Sequence, residues 1–311
     1  METPQDIVVA LEKIKNFIIE RQILLDEIPK VLKREIPKIL DEYFENRPLL
    51  QPIKPIESNE ASIIDLLHSS TWPEAVDPKL IVTNSDEQKT ARAEGILDFI
   101  VSKDPKNKKF LDFGCGEGFV AAVASKYQAN LSIGYDIKKP EDKWKKDNLI
   151  FTDSIAEISK HAPYDIIVLF DVLDHVEGIT AEELLKLVYS VSNETTEVFV
   201  RCHPWIGRHG SDIYRNLNKA FVHLALNDSQ LKELNIEIPT NCKVSSPLST
   251  YKSWANTAGF KVKKISAERQ QVEPFFLENK TVSEELKKLT VNGRIPKDQM
   301  EICFVDMILV K

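Results

Sequence analysis

Glycine is scarce in this chain, ten residues in 311, as are cysteine, with four, and methionine, with three. Cys115, Cys202, Cys242 and Cys303 lie far apart and form no C-x-x-C pair. That spacing argues against a zinc site or a disulfide framework and fits a reducing compartment. No apolar run approaches the length of a bilayer span, so no membrane segment is expected. There is no basic excess either. The formal net charge is −7, so no global field draws nucleic acid. The start, Met1 to Asp6, is polar and acidic without a basic leader region. A cytoplasmic protein is therefore expected, alone or within a larger assembly. The hydrophobic share of 42% and charged share of 29% suit a globular chain with room for one large domain and appendages.

Against that scarcity, three glycines fall at alternate positions in Lys109-Phe110-Leu111-Asp112-Phe113-Gly114-Cys115-Gly116-Glu117-Gly118-Phe119-Val120. The short apolar run Phe110 to Phe113 reads as a buried strand. The Ala-rich run from Val120 to Tyr127 reads as the start of a helix. A strand, a Gly-rich turn and a helix start let bare backbone approach a ligand closely. Glycine has no Cβ to block the approach, and the first helical N–H groups are unpaired. The turn therefore reads as a cradle for a nucleoside cofactor.

The dinucleotide fingerprint G-x-G-x-x-G places its third glycine one residue later than this chain does. Here an acid comes first, then Asp112-x-Gly114-x-Gly116-x-Gly118. A carboxylate at the strand end suits a cationic ligand and opposes a pyrophosphate. The pattern resembles motif I of class I S-adenosylmethionine (SAM) dependent methyltransferases. The resemblance implies that Asp112 and the three glycines surround the methionine end of SAM.

Along the chain, Asp6 to Glu45 carries a heptad-like seam of Ile7, Leu11, Ile14, Ile18, Leu25, Ile28, Leu32 and Ile39, interrupted by Pro29 and Pro37. Residues 1–46 read as a helical arm that joins copies of the chain or a partner, or that folds back on its own domain. Residues 47–84 read as linker and lead-in, with a short helix at Ala61 to His68. Ser85 and Gln88 form a capping-box pattern that opens a helix to Val101. Strands then alternate with helices: Phe110–Phe113, Leu131–Asp136, Leu149–Phe151, Tyr164–Phe170, Glu197–Arg201, Phe260–Ile265 and Ile302–Val310. Helices are expected at Thr180–Ser192, Asp212–Leu226, Ser249–Ala258 and Glu284–Leu289, with 202–248 as an insertion. The fold class is α/β, a doubly wound, seven-stranded, mostly parallel sheet over 85–311 behind the helical arm. The order resembles the class I methyltransferase fold, which implies that the last strand runs antiparallel.

Ligands of such sheets sit beyond the carboxyl ends of the strands. Asp136 ends the second strand about 20 residues past the turn, where an acid can accept from ribose hydroxyls. By resemblance, Asp153 meets the adenine amino group, with Phe151, Ser154 or Ile155 against the ring, and Asp171 faces the sulfonium. The phrase from Phe170 to Val176 resembles the strand-four motif of small-molecule methyltransferases and lacks the signature of adenine methylation on DNA.

Of six histidines, His175, His203 and His209 fall at the ends of strands four and five. Imidazole suits proton removal from a hydroxyl near neutral pH, so these three are the candidate bases. Arg201, Trp205 and Arg208 in the loop after strand five suit an anionic or aromatic acceptor, by bidentate grip and stacking. Lys219 and Phe221 are further candidates on a lid. A metal held by the histidines with Asp171 or Asp174 matches no zinc spacing, so no metal is expected.

The reading is SAM-dependent methyl transfer to an oxygen or other small nucleophile of an unidentified acceptor. The alternatives are an assembly protein that keeps the fold and uses its arm, and a nicotinamide-dependent oxidoreductase. The run from Arg208 to Phe221 also resembles methyltransferase-like proteins of tailed phages. If the arm joins copies of the chain, deleting residues 1–46 lowers the particle mass in light scattering to that of one shortened chain. Equal stoichiometry with and without the arm rejects that role.

Overall fold

In a computed structural model of the chain, the residues described are 63–69, 71–78, 85–140, 143–144, 146–176, 178–210, 213–236, 242–278 and 297–311. The expected arm at 1–46, most of the linker and the expected helix Glu284–Leu289 lie outside them.

Helix α1 (Ile63–His68) precedes α2 (Asp86–Gly95), which runs on as a wider π-type turn over Ile96–Val101. The sheet then alternates with helices: β1 (Lys109–Phe113), α3 (Phe119–Lys126), β2 (Leu131–Tyr135), β3 (Leu149–Thr152), α4 (Ile155–His161), β4 (Ile166–Phe170), α5 (Ala181–Ser190) and β5 (Glu197–Cys202). The insertion contributes α6 (Val222–Ala225) and α7 (Asp228–Glu233). The chain closes with α8 (Pro247–Thr257), β6 (Lys261–Arg269), α9 (Pro274–Glu278), α10 (Lys297–Met300) and β7 (Ile302–Val310).

The spatial order is β3-β2-β1-β4-β5-β7-β6, with β7 antiparallel to β5 and to β6 and the first five strands parallel. The order reverses between β1 and β4, which opens a crevice at their carboxyl ends. Alternation along β1 explains the two layers. Leu111 and Phe113 face a core shared with Leu185 of α5 and Tyr251 of α8. Phe110 faces the other core, with Ala93 and Leu97 of the α2 segment and Val123 of α3. Local signals start the helices as expected. Ser85 caps α2 by accepting from Gln88 N–H at 3.2 Å, and Thr180 with Glu183 forms a full capping box at α5.

The expected continuous helix Asp212–Leu226 is instead one 3₁₀ turn, Ile213–Arg215, followed by α6. Tertiary bonds take the backbone groups such a helix needs. Ala220 N–H donates to Pro73 O at 2.9 Å and Phe221 N–H to Arg208 O at 2.8 Å. Lys219 and Phe221 are not offered to an acceptor. Lys219 donates to the carbonyls of Ser69 and Trp72, and Phe221 is buried edge-on against Phe276.

These contacts belong to a third core that joins the lead-in to the insertion. Its centre is Trp72, 1% exposed, with its indole N–H donated to Ala220 O at 2.9 Å. Replacing Trp72 with Ala removes both ring burial and that bond. The expected cost is about 3–5 kcal/mol, read from the urea midpoint.

Candidate functional site

The Gly-rich bend between β1 and α3 is held by its own amides. Gly114 and Cys115 both donate to Tyr135 O, at 2.7 and 2.9 Å. Gly116 N–H donates to Asp136 Oδ2 at 2.8 Å, and Lys138 N–H donates to Oδ1 at 3.2 Å. Asp136, just past the end of β2, therefore turns toward the bend. It stays half-buried, and each carboxylate oxygen keeps a second lone pair.

The three glycines have different jobs. A Cβ on Gly114 would strike Val172, and one on Gly118 would strike the Phe151 ring. Both lie at positive φ, +80° and +86°, and make room for the chain's own packing. A Cβ on Gly116 would meet nothing within 4 Å, and this residue faces solvent. The open part of the bend is thus Gly116 beside Asp136, narrower than the spacing alone suggested.

Asp112 lies inward, 3% exposed, accepting from Ala121 N–H at 3.2 Å. Its carboxylate fastens the first turn of α3 to β1. Burial pushes its pKa up to about 7, with a smaller upward push from the charge of Asp136 and a downward pull from the Ala121 hydrogen bond. Phe151 is buried against Gly134 and Gly118, 5.8 Å from the Trp144 ring. Asp153 is exposed, and Ser154 is the N-cap of α4.

Helix α2 spans the mouth of the crevice. Lys89 pairs with Glu117 of the bend at 2.6 Å, and Arg92, one turn on, pairs with Asp171 at 3.6 Å. Asp171 follows β4 at φ 54°, a left-handed conformation uncommon for residues other than glycine. Beside it lies a cleft of about 280 Å³. Ile96, Ile100, Phe170 and Phe304 form its apolar walls, and Arg92, Asp171 and Arg201 its charged ones.

The residues assigned to an acceptor separate into different environments. Arg201 reaches the cleft but holds Asp306 at 2.8 Å and Glu268 at 3.1 Å, and it lies 4.5 Å over the Phe304 ring. Arg208 is buried as a strut: it donates to the carbonyls of Glu74 and Ala75 and pairs with Glu273. Trp205 packs beside the insertion core, 5.8 Å from the His223 ring.

His203 and His209 do meet, with ring centroids 4.1 Å apart, but both are buried, and His203 stacks on Phe304 at 5.1 Å. Burial holds His203 well below the usual imidazole range, and the neighbouring His209, His175, His223 and Arg215 push the same way. His175 ends a 3₁₀ turn and is half-buried. Among the described residues no group of three or more His, Cys, Asp or Glu is placed to hold a metal ion. No helix among them is long and apolar enough to cross a membrane.

The sequence reading undervalued Asp174 and Arg92. Asp174, fully buried, accepts from the Tyr251 hydroxyl and, at 2.6 Å, from His203 N–H. It ties the end of β4 to β5 and α8. Burial raises its pKa to about 7 against the pull of those two bonds. Arg92 sits one turn past Lys89 on a helix, but only the fold reveals that both reach over the crevice.

A family model described as a methyltransferase domain matches residues 85–265. No curated protein sequence matches the chain. Among solved structures, a SAM dependent methyltransferase from Archaeoglobus fulgidus is similar at 18% identity, covering 73% of this chain and 95% of its own, with a TM-score of 0.42. An S-adenosylmethionine dependent methyltransferase from Mesorhizobium loti is similar at 14% identity, covering 70% and 98%, with a TM-score of 0.43. Magnesium protoporphyrin IX methyltransferase from Synechocystis PCC 6803, with bound SAH, is similar at 13% identity, covering 75% and 92%, with a TM-score of 0.41.

The buried carboxylate at β1 sets a pH test. Folded chain keeps the Asp112 proton to about pH 7, whereas unfolded chain releases it near 3.8. Between those values the folded state binds more protons, so this group's contribution to stability falls as pH rises. Asp112→Asn keeps an acceptor for Ala121 N–H and removes the titration. Its stability relative to wild type should therefore rise from pH 4 to pH 8, by on the order of a few kcal/mol. A difference that stays flat with pH refutes this placement of Asp112.

Proposed function

The chain belongs to the methyltransferase-domain family, and from that premise we propose that it moves a methyl group from SAM to a nucleophile on a small molecule or on an exposed group of a larger one. When bound, SAM supplies an electrophilic methyl carbon on positively charged sulfur. The observation that carries the reading is Asp136. Its carboxylate accepts from Gly116 N–H at 2.8 Å, remains half-buried, and keeps lone pairs for two ribose hydroxyls. The acids at successive strand ends, Asp136, Asp153 and Asp171, suit a ligand that carries hydroxyls, an amino group and a positive charge. A pyrophosphate would meet repulsion from all three.

Asp112 acts through α3 as a positioning residue, and Gly114 and Gly118 act through packing. Gly116 and Asp136 would touch the nucleoside, Asp153 its amino group with Ser154 at the edge of the ring, and Asp171 the sulfonium side. His203 and His209 are enclosed behind Phe304 and suit wall-building better than proton transfer, which leaves His175 as the most open of the three candidate bases. An assembly role for the arm is compatible with this chemistry, and the phage-like phrase from Arg208 to Phe221 names no acceptor. A cytoplasmic setting remains the expectation from cysteine usage.

Titration calorimetry with SAM and with its demethylated product S-adenosylhomocysteine tests the reading. Both should bind, NADH should not, and Asp136→Ala should weaken both by about 10-fold to 100-fold, the worth of hydrogen bonds to a charged group. Absence of binding by either nucleoside rejects it.

A further inference from the structure

Two guanidinium groups line the cleft beside Asp171, and neither has all of its donors in use. From this we propose, resting on the methyl-transfer reading, that the acceptor is a small apolar or aromatic molecule anchored by a carboxylate. Arg92 and Arg201 hold the carboxylate, and Ile96, Ile100 and Phe170 cover the body. Arg92 thereby takes the role that the sequence gave to Arg208, which is buried as a strut against Glu74, Ala75 and Glu273.

The first observation is the state of the donors. A guanidinium donates from Nε, Nη1 and Nη2. Arg201 gives Nε to Asp306 at 2.8 Å, and Nη2 to Asp306 at 3.2 Å and to Glu268 at 3.1 Å. Among the described residues no partner meets its Nη1. The group is therefore fixed in plane while part of its fork stays unspent. Arg92 is engaged still less. Its pairing is with Asp171 at 3.6 Å, longer than a hydrogen bond, and its side chain is 63% exposed. A ligand carboxylate at Arg92 gains hydrogen bonds that this contact does not make, and planar forks of this kind match carboxylate geometry.

The second observation is the sign of the lining. Its ionised side chains are Arg92, Arg201 and Asp171, two cations and one anion. Asp306 and Glu268 hold Arg201 from outside that lining, so Arg201 offers oriented donors and Arg92 the more exposed charge. An ammonium would find no use for the donors of either.

The walls decide the body. Ile96, Ile100 and Phe170 are apolar, and a volume of about 280 Å³ suits a molecule of about one ring. The Phe304 ring is occupied, by Arg201 at 4.5 Å and His203 at 5.1 Å, so it backs the anchor and does not stack on the ligand. Carboxylate oxygens that accept from guanidinium groups are weakened as nucleophiles. The methyl group then goes to another atom of the same molecule, for which His175 remains the candidate base.

The test uses the full chain saturated with S-adenosylhomocysteine, whose binding is measured first. Failure at that stage counts against the methyl-transfer reading itself. Benzoate, benzamide, benzylamine and acetate are then titrated by NMR as probes. The first three share a ring and differ in charge, and acetate keeps the carboxylate without the ring. Benzoate is expected to bind about 10-fold or more tightly than each of the others, and Arg92→Gln should remove about that factor while leaving benzamide within about twofold. Unchanged affinity of Arg92→Gln for 5′-methylthioadenosine, which lacks the amino-acid end, shows that the variant is folded. Benzamide, benzylamine or acetate binding as well as benzoate overturns the proposal. So does a benzoate affinity unmoved by Arg92→Gln, or no binding of any probe to the loaded protein. Benzoate that competes with S-adenosylhomocysteine also overturns it, because the cleft then holds the cofactor's own carboxylate.

Discussion

Two amides of the bend converge on one carbonyl. Gly114 and Cys115 both donate to Tyr135 O, and the next amide, Gly116, donates to Asp136. The last residue of β2 and its successor thereby set the conformation of the loop after β1. Backbone groups at a strand-to-helix turn need partners, and here a neighbouring strand supplies them instead of solvent. Everything at the crevice follows from this clamp: the exposed Gly116, the inward turn of Asp136, and the position at which α3 can begin.

Close packing underneath makes the clamp possible. Val172 fills the space that a side chain at Gly114 would need, and Phe151 does the same at Gly118 and Gly134. Asp112 ties α3 back to β1 from below. Above the mouth, α2 is anchored by Ala93 and by Leu97 in the turn that follows, while its ion pairs to Glu117 and Asp171 are exposed. Exposed pairs contribute little to stability, on the order of 1 kcal/mol or less. Their effect here is to fix where positive charge sits relative to the cleft.

The insertion shows why a loop rich in chemical residue types is a weak guide. Between Arg201 and Gly210 lie two histidines, two arginines and a tryptophan, and the concentration suggested a catalytic loop. In the fold, Arg208 braces the lead-in, Trp205 lies beside a separate core, and His203, tilted against His209, stacks on Phe304. The third core, around Trp72, closes over irregular backbone, and Arg208 is among the polar struts that hold it. The same closure broke the expected helix over 212–226, whose amides are used by Pro73 and Arg208.

The layout of strands and helices was legible in the chain because it rests on local causes. Alternation, capping residues and glycine spacing act over a few residues, and they placed all seven strands and the acids at their ends, while the antiparallel expectation for the last strand came from the family resemblance. What one carboxylate does compared with another was decided by tertiary structure. Asp112, Asp136, Asp171 and Asp174 are alike in sequence, yet one fastens a helix, one faces the open bend, one lines the cleft and one is a buried tie between strands. Burial and partners far along the chain draw those distinctions, since desolvation and charge depend on neighbours in space and leave no periodic trace in sequence.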